Sequence, residues 1–522
     1  SGEIVDSAAI SQTMWEDPIT HVADPTVVMA SLQAVGDISG SVAYAAAGSA
    51  SIVSTAGNID NSSIMAAAEV TLEALQGMIS ESTATAGTNV DVDAISVVNS
   101  LLNAQTGYVN LTADIADNVN IFAGGDDAAG RGVYAVIGKD VIGGEWVADN
   151  GDIKVEGALA RISGTDFNAQ GKVFLTVNPA PLDPTAYGIV ENVNIMSEWE
   201  TEVFAKTMIV NTTVVSVREN VTMTGGLITG ANVTAHNTAK LVTTGASQLG
   251  GDLINSNIEG SKVFATVAGN ISGVSADADV RAELIADKNI TATTVKTGTD
   301  VIVMTAGGLI QGSSAMSGKN MILTAGTEID GSDFTAVEDI TVTATDLAAS
   351  SFISEKGAIT VGPLANIIDS TIWAKEGAIS IGGATGVTDE IDGSTISAGT
   401  TLTLLANWVV GSSLITEDGL LNVDAQTIDG SELLSKKQDI FLKIDVLNDT
   451  SLAAATNIGV DGVSIPTSTI TASSMSAKTG NVTVDDFLTV NALTVNAGGN
   501  ATIGGLGALA TVNTIIGGEY IT

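Results

Sequence analysis

Ile310-Gln311-Gly312-Ser313, then Met321-Ile322-Leu323-Thr324-Ala325, then Ile329-Asp330-Gly331-Ser332 is the stretch that decides the fold of this 522-residue chain. An aliphatic residue is followed by two small or polar residues and a Ser, and the phrase returns after one alternating segment. It recurs at Ile38-Ser39-Gly40-Ser41, Ile59-Asp60-Asn61-Ser62, Ile79-Ser80-Glu81-Ser82, Ile391-Asp392-Gly393-Ser394 and Ile428-Asp429-Gly430-Ser431. Looser copies place anchoring aliphatics at Val97, Ile115, Val141, Ile162, Ile189, Ile209, Ile228, Ile254, Ile271, Ile290, Leu347, Ile368, Val409, Leu447 and Ile470. The spacing averages about 20 residues, and self-similarity at such a period is the mark of a solenoid.

Each anchor is followed, roughly 11 to 13 residues on, by a segment such as Val70-Thr71-Leu72-Glu73-Ala74, Ile340-Thr341-Val342-Thr343-Ala344 or Leu421-Asn422-Val423-Asp424-Ala425. Alternation with period two puts aliphatics on one face and Thr, Asp or Glu on the other, as in a half-buried strand. Gly, Asn, Asp and Ser gather between these strands, at Ala306-Gly307-Gly308 and Glu355-Lys356-Gly357 for example, where turns need a left-handed backbone. A period near 20 is too short for a helix pair, and the leucine-rich consensus is absent. The chain is therefore predicted to be all-β, a single long parallel β-helix with rungs of about 20 residues, expected to coil right-handed. Some two dozen rungs would make a rod on the order of 110 Å long.

Composition agrees with that geometry. Aromatic residues make up 4% and charged residues 15% of the chain, and a narrow interior has room for Val, Ile, Leu, Ala and Thr but seldom for Trp. No run of 18 apolar residues occurs, so no spanning helix is expected. Nineteen Lys and Arg against 59 Asp and Glu give a formal charge of -40, which excludes nucleic-acid binding for want of a basic stripe and disfavours an anionic membrane surface. The absence of cysteine removes thiolate metal sites and thiol catalysis. The chain opens Ser1-Gly2-Glu3, which fits a processed, exported protein. About ten Asn-x-Ser/Thr sequons occur, among them Asn61, Asn211, Asn270 and Asn448, and a chain this rich in Asn, Ser and Thr produces many by chance.

Residues 1–30, with Trp15, Glu16-Asp17-Pro18, His21 and Asp24-Pro25, do not fit the ladder and read as a cap or assembly arm. The β-helix is placed at 31–505, with inserted loops near 121–140, 178–206, 233–250 and 382–390, and a further expansion near 461–467. Residues 506–522 are apolar and Gly-rich and read as an edge strand for assembly, with an intramolecular plug as the alternative. Chemistry is thinly represented. His21 and His236 are too few for a metal or triad constellation and read as plain polar residues. The paired acids Asp126/Asp127 and Asp485/Asp486 could ligate calcium, but neighbours on a strand point to opposite faces. Asp369 and Asp392 occupy equivalent positions on adjacent expected rungs, the one hint of the stacked carboxylates a polysaccharide lyase or hydrolase needs. Turn-forming Asp explains them as well, and aromatic sugar platforms and a basic groove are missing. No catalytic, cofactor-binding or metal-ligating residue is assigned.

The repeated Ile-x-Gly-Ser followed by Val/Ile-x-Leu/Val-Thr-Ala resembles the haemagglutinin repeats of filamentous haemagglutinin-type adhesins, most closely over residues 226–432. The resemblance implies a right-handed parallel β-helix at a cell surface, used for adhesion or fibre formation. That family's secretion domain carries Asn-Pro-Asn-Gly-Ile-like signatures, of which only Asn178-Pro179-Ala180 is present. The expectation is a secreted, self-assembling filament, sheath or surface-layer subunit whose main partner is itself. The alternative is an adhesin shaft whose side loops bind glycans or a host surface, and a non-enzymatic role is expected in either case.

Overall fold

The computed structural model describes residues 2–11, 28–179, 187–245, 250–383, 386–463, 468–504, 509–516 and 520–521. The chain forms two compact units, Ser1–Gly269 and Asn270–Thr522. Both are all-β, with parallel strands stacked coil on coil as a β-solenoid; the chain has about 23 turns of about 20 residues. Among the described residues there is no helix.

A coil in the second unit shows how the sequence phrase folds. A short strand, Ile310–Gln311, turns a corner into a four-residue strand, Ser314–Ser317, and a second turn leads to a longer strand, Met321–Ala325. Each pairs in register with the next coil: Ile310 with Ile329, Ser314 with Asp333, Met321 with Ile340. In other coils the long strand runs straight into the following short one, as in Leu402–Val410 and Leu421–Asp429. Alternate residues point inward, so Ala315, Phe334 and Phe352 are buried in one column while Ser314 and Asp333 face out.

The repeated Ser has a structural reason. The residue before it is left-handed, with φ of 54° at Gly331, 44° at Asn61 and 46° at Ala349, which makes the corner tight. Around one such corner, Asn61 N–H reaches Ser80 O at 3.0 Å and Ser63 N–H reaches Ser41 O at 2.9 Å. The N–H between them, on Ser62, donates to Ser82 Oγ at 3.2 Å. The same bond repeats coil by coil from Ser313 through Ser332, Ser350, Ser370, Ser394 and Ser412 to Ser431. Each hydroxyl in turn donates to the carbonyl two residues before it, as Ser332 Oγ does to Asp330 O at 2.9 Å. A buried hydroxyl is thus satisfied both ways, and a buried corner amide is not left orphaned. A second ladder works through Asn and Asp: Ala358 N–H donates to Asp339 Oδ1 at 2.8 Å and Met78 N–H to Asn58 Oδ1 at 2.9 Å.

The interior accepts more aromatic volume than composition suggests. Trp146 is fully buried, edge-on to Phe167 with ring centres 5.4 Å apart, and its indole N–H donates to Val119 O at 3.1 Å. Phe334 and Phe352 stack at 5.4 Å. In each pair the next inward residue along the strand is small or short: Ala148 and Ala169, Ala336 and Ser354.

Four expected anchors are displaced by one residue. The buried column contains Ala116, Val190, Leu253 and Ile367, while the neighbouring Ile115, Ile189, Ile254 and Ile368 turn outward. The same shift separates Asp369 from Asp392: Asp392 lies opposite Ile368, and Asp369 is the left-handed corner residue with φ of 47°. The expected carboxylate pair is therefore not in register. His236, expected in a loop, lies in the strand Asn232–Thr243, beside a register shift.

The ladder also reaches into the segments read as termini and loops. Ile4–Val5 pairs with Ile38–Ser39, Ala8–Ser11 with Val42–Ala45 and Val28–Ala34 with Ser49–Ser54, so the described residues 4–11 and 28–30 join the ladder where an arm outside it was expected. Trp15, Glu16, Asp17, Pro18, His21, Asp24 and Pro25 lie outside the described residues. Leu509–Ile516 pairs in parallel with the strand Thr489–Ala497, and Tyr520–Ile521 with Ala501–Ile503, so these residues continue the ladder. Strand Asn232–Thr243 occupies most of 233–250, and strand Thr388–Asp392 begins within 382–390, two stretches read as inserted loops.

Candidate functional site

On the long strands, alternate outward positions of successive coils stack into two columns on one face. In the first unit a hollow of about 350 Å³ is bordered by Glu73, Asp91, Asp93, Asn110, Arg131 and Tyr134. The loop beside it is held by Asp127, whose carboxylate accepts from Arg131 N–H at 2.9 Å, Arg131 Nε at 2.8 Å and Ala129 N–H at 2.8 Å. Burial alone would push the Asp127 carboxyl up, but these hydrogen bonds outweigh it and hold it below the usual range. The Arg131 guanidinium lies 4.0 Å from the centre of the Tyr134 ring. Tyr134 donates its hydroxyl to Glu156 Oε1 at 2.6 Å, which raises the phenol, and Glu156 is itself held low by Lys154 and Tyr134. Asn110 Nδ2 donates to Asp91 Oδ1 at 2.7 Å. The aromatic ring and the basic groups here are largely occupied by one another.

The second unit presents the same strand face differently. A hollow of about 480 Å³ is bordered by Asn422, Phe441, Lys443, Gly459, Asp461 and Asp485. Asn422, Phe441, Gly459 and Thr483 are stacked in register, one coil apart, and beside them run Asp424, Lys443, Asp461 and Asp485. Phe441 is 45% exposed, and its ring leans over Gly459: a Cβ added there would sit 3.0 Å from Phe441 Cδ1. Lys443 Nζ is 3.8 Å from Asp424 Oδ2, both side chains about half exposed. A third hollow, about 520 Å³, lies beside Ala454, Ala477 and Lys478 and has no aromatic residue at its border.

The acid pairs singled out from sequence separate in role. Asp127 is committed to Arg131, and Asp485 Oδ1 accepts the N–H of Asp486 at 3.0 Å. Among the described residues no group of three or more His, Asp or Glu is placed to hold a metal ion. The aromatic positions on this face were missed by the sequence reading. Their signal was pairing at one repeat: Phe441 stands 18 positions before Gly459, and the glycine interrupts an otherwise alternating strand, Ile458-Gly459-Val460.

No family model matches the chain, and neither the curated proteins nor the solved structures yield a match.

Proposed function

We propose that this protein is a secreted structural subunit that packs side by side with copies of itself into an extracellular filament, sheath or surface layer. The observation that carries the reading is a column of apolar side chains on the outer face of the four-residue strands. Ile10, Tyr44 and Met65 follow one another on three consecutive coils, exposed by 59%, 36% and 47%. The second unit carries Met316 and Trp373 at the same outward strand position. A stacked, flat sheet face of this kind offers a second copy a regular surface, and contiguous exposed apolar residues mark contact sites. The repeated serine and Asx bonds favour a stiff scaffold, and the repeat resembles those of surface adhesins and fibres.

Charge sets the condition for assembly. At a formal -40, copies repel one another until salt screens them, so association should strengthen as ionic strength rises toward 0.15 M and above. Sedimentation velocity and negative-stain microscopy of the purified chain test this. Regular polymers are expected, and a Tyr44→Glu/Met65→Lys double variant is expected to sediment as monomer with an unchanged β spectrum. A wild-type chain that stays monomeric at all salt concentrations would overturn the reading.

The second reading is an adhesin shaft that holds a ligand on its flank. The open, aromatic hollow at Phe441 favours it, and the two roles are compatible.

A further inference from the structure

We infer that the hollow around Phe441 in the second unit is a saccharide-binding site for an uncharged pyranose or a short chain of them. The claim does not rest on self-assembly. It rests on how three features meet on one strand face.

The first is the ring itself. Phe441 occupies an outward position where an aromatic residue has no part in the core, yet it is not splayed into solvent. It leans along the solenoid axis over Gly459, the residue in register on the next coil, where a Cβ would crowd the ring edge at 3.0 Å. The ring is therefore laid down as a platform. An aromatic face carries partial negative charge and suits the C–H-rich face of a pyranose.

The second is what stands beside the platform. Two residues along each strand, about 6.6 Å away, runs the column Asp424, Lys443, Asp461, Asp485. Carboxylates accept hydrogen bonds from hydroxyls and the ammonium donates to them, with Asn422 and Thr483 supplying further donors and acceptors before and after the platform. Consecutive coils stand about 4.8 Å apart, so a sugar ring lying on Phe441 brings hydroxyls to two of these side chains at once. The third is size. At about 480 Å³ the hollow lies inside the range of roughly 300–1,000 Å³ typical of small-ligand sites.

The mixture of charges selects the ligand class. The net negative rim disfavours sulfated or uronic saccharides. A quaternary ammonium would want several aromatic walls, whereas here one ring is present and Lys443 stands within the hollow. The corresponding hollow of the first unit lacks a free platform, since Arg131 and Glu156 already engage Tyr134.

The test titrates the full chain with cellohexaose, maltohexaose and the N-acetylglucosamine hexamer, and separately with choline chloride, by isothermal calorimetry. At least one hexasaccharide should bind. Phe441→Ala should weaken it by about tenfold or more, Gly459→Val should do the same by displacing the ring, and Phe441→Tyr should preserve it. Because Phe441 and Gly459 are outward residues, far-ultraviolet circular dichroism should be unchanged in all three variants. Failure of all three sugars to bind at 10 mM, binding indifferent to Phe441→Ala, or binding of choline in preference to sugar would each overturn the assignment. A chain that polymerises but binds no sugar would defeat this inference alone; one that binds sugar as a monomer would defeat only the assembly reading.

Discussion

Ser332 donates its backbone N–H to the hydroxyl of Ser350 at 3.2 Å, one coil further on, while Ser350 passes its own proton to Ala348 O at 2.8 Å. Ser350→Ala breaks both bonds and leaves a buried amide without its acceptor. The loss should be about 1–3 kcal/mol, read from urea unfolding of the full chain. Amide exchange at Ser332 should accelerate at the same time. Ser350→Thr should be tolerated, since Thr450 already fills this position in another coil with its hydroxyl bonded to Asn448 O at 2.7 Å. A Ser350→Ala chain as stable as the parent would show that the corner amide finds another partner.

The corner residue itself predicts opposite effects for one exchange made in two directions. Ala292, Ala349 and Ala472 hold φ of 47°, 46° and 51°, where an L-residue pays about 1–2 kcal/mol. Ala349→Gly should therefore raise stability by roughly 0.5–1 kcal/mol after the greater flexibility of unfolded Gly is counted. Gly331→Ala should lower it by the same roughly 0.5–1 kcal/mol although nothing stands within 4 Å of the added methyl, because the cost lies in the backbone.

Two carboxylates should respond to pH with opposite signs. Burial, and then the neighbouring Asp330 and Asp346, push Glu328 above the usual Glu range. The folded state then binds the proton more tightly than the unfolded one, so stability falls as pH rises from the ordinary Glu value through the raised one. Asp439 is also raised by burial, but bonds from the Thr456 hydroxyl, the Asn457 N–H and Asn457 Nδ2 outweigh that and hold it low. Its contribution is present above the ordinary Asp value and is lost as pH falls through the lowered one. Glu328→Gln should accordingly stabilise at pH 7, Asp439→Asn should destabilise at pH 7, and both effects should shrink toward pH 3. Thermal unfolding of the two variants at both pH values checks the signs.

Trp146 offers a measure of the core. Trp146→Ala removes a ring packed against Phe167 and should cost about 3–5 kcal/mol. Trp146→Phe should cost less, because a ring remains against Phe167 while the bond to Val119 O and part of the packed volume are lost. Unfolding monitored by circular dichroism separates the two.

The class of fold was legible because the repeat is physical as well as textual: the corner needs a left-handed residue, the next amide needs a hydroxyl, and the interior needs an aliphatic. Register was less legible. At Leu253-Ile254-Asn255 and Ile367-Ile368-Asp369 two aliphatics adjoin, and hydropathy alone does not choose between them. Counting back two from the left-handed residue does, giving Leu253 and Ile367, just as it gives Ile59 from Asn61. The same count finds Ile4-Val5-Asp6-Ser7, where Asp6 has φ of 46° and Ser7 N–H lies 3.3 Å from Ser41 Oγ. That copy was hidden by the irregular residues after it. The hollow at Phe441 was illegible for another reason: its parts are scattered over four coils, and a low aromatic content says nothing about where the few rings stand.

The serine column carries a consequence for how such a chain can change length. Since Ser313 and Ser332 end the same phrase and make the same two bonds, removal of residues 312–330 would join Gln311 to Gly331 and rebuild an intact corner. A whole turn is thus a heritable unit that recombination can drop or duplicate without disturbing its neighbours, whereas loss of a single residue from the four-residue strand would turn its core side chains toward water.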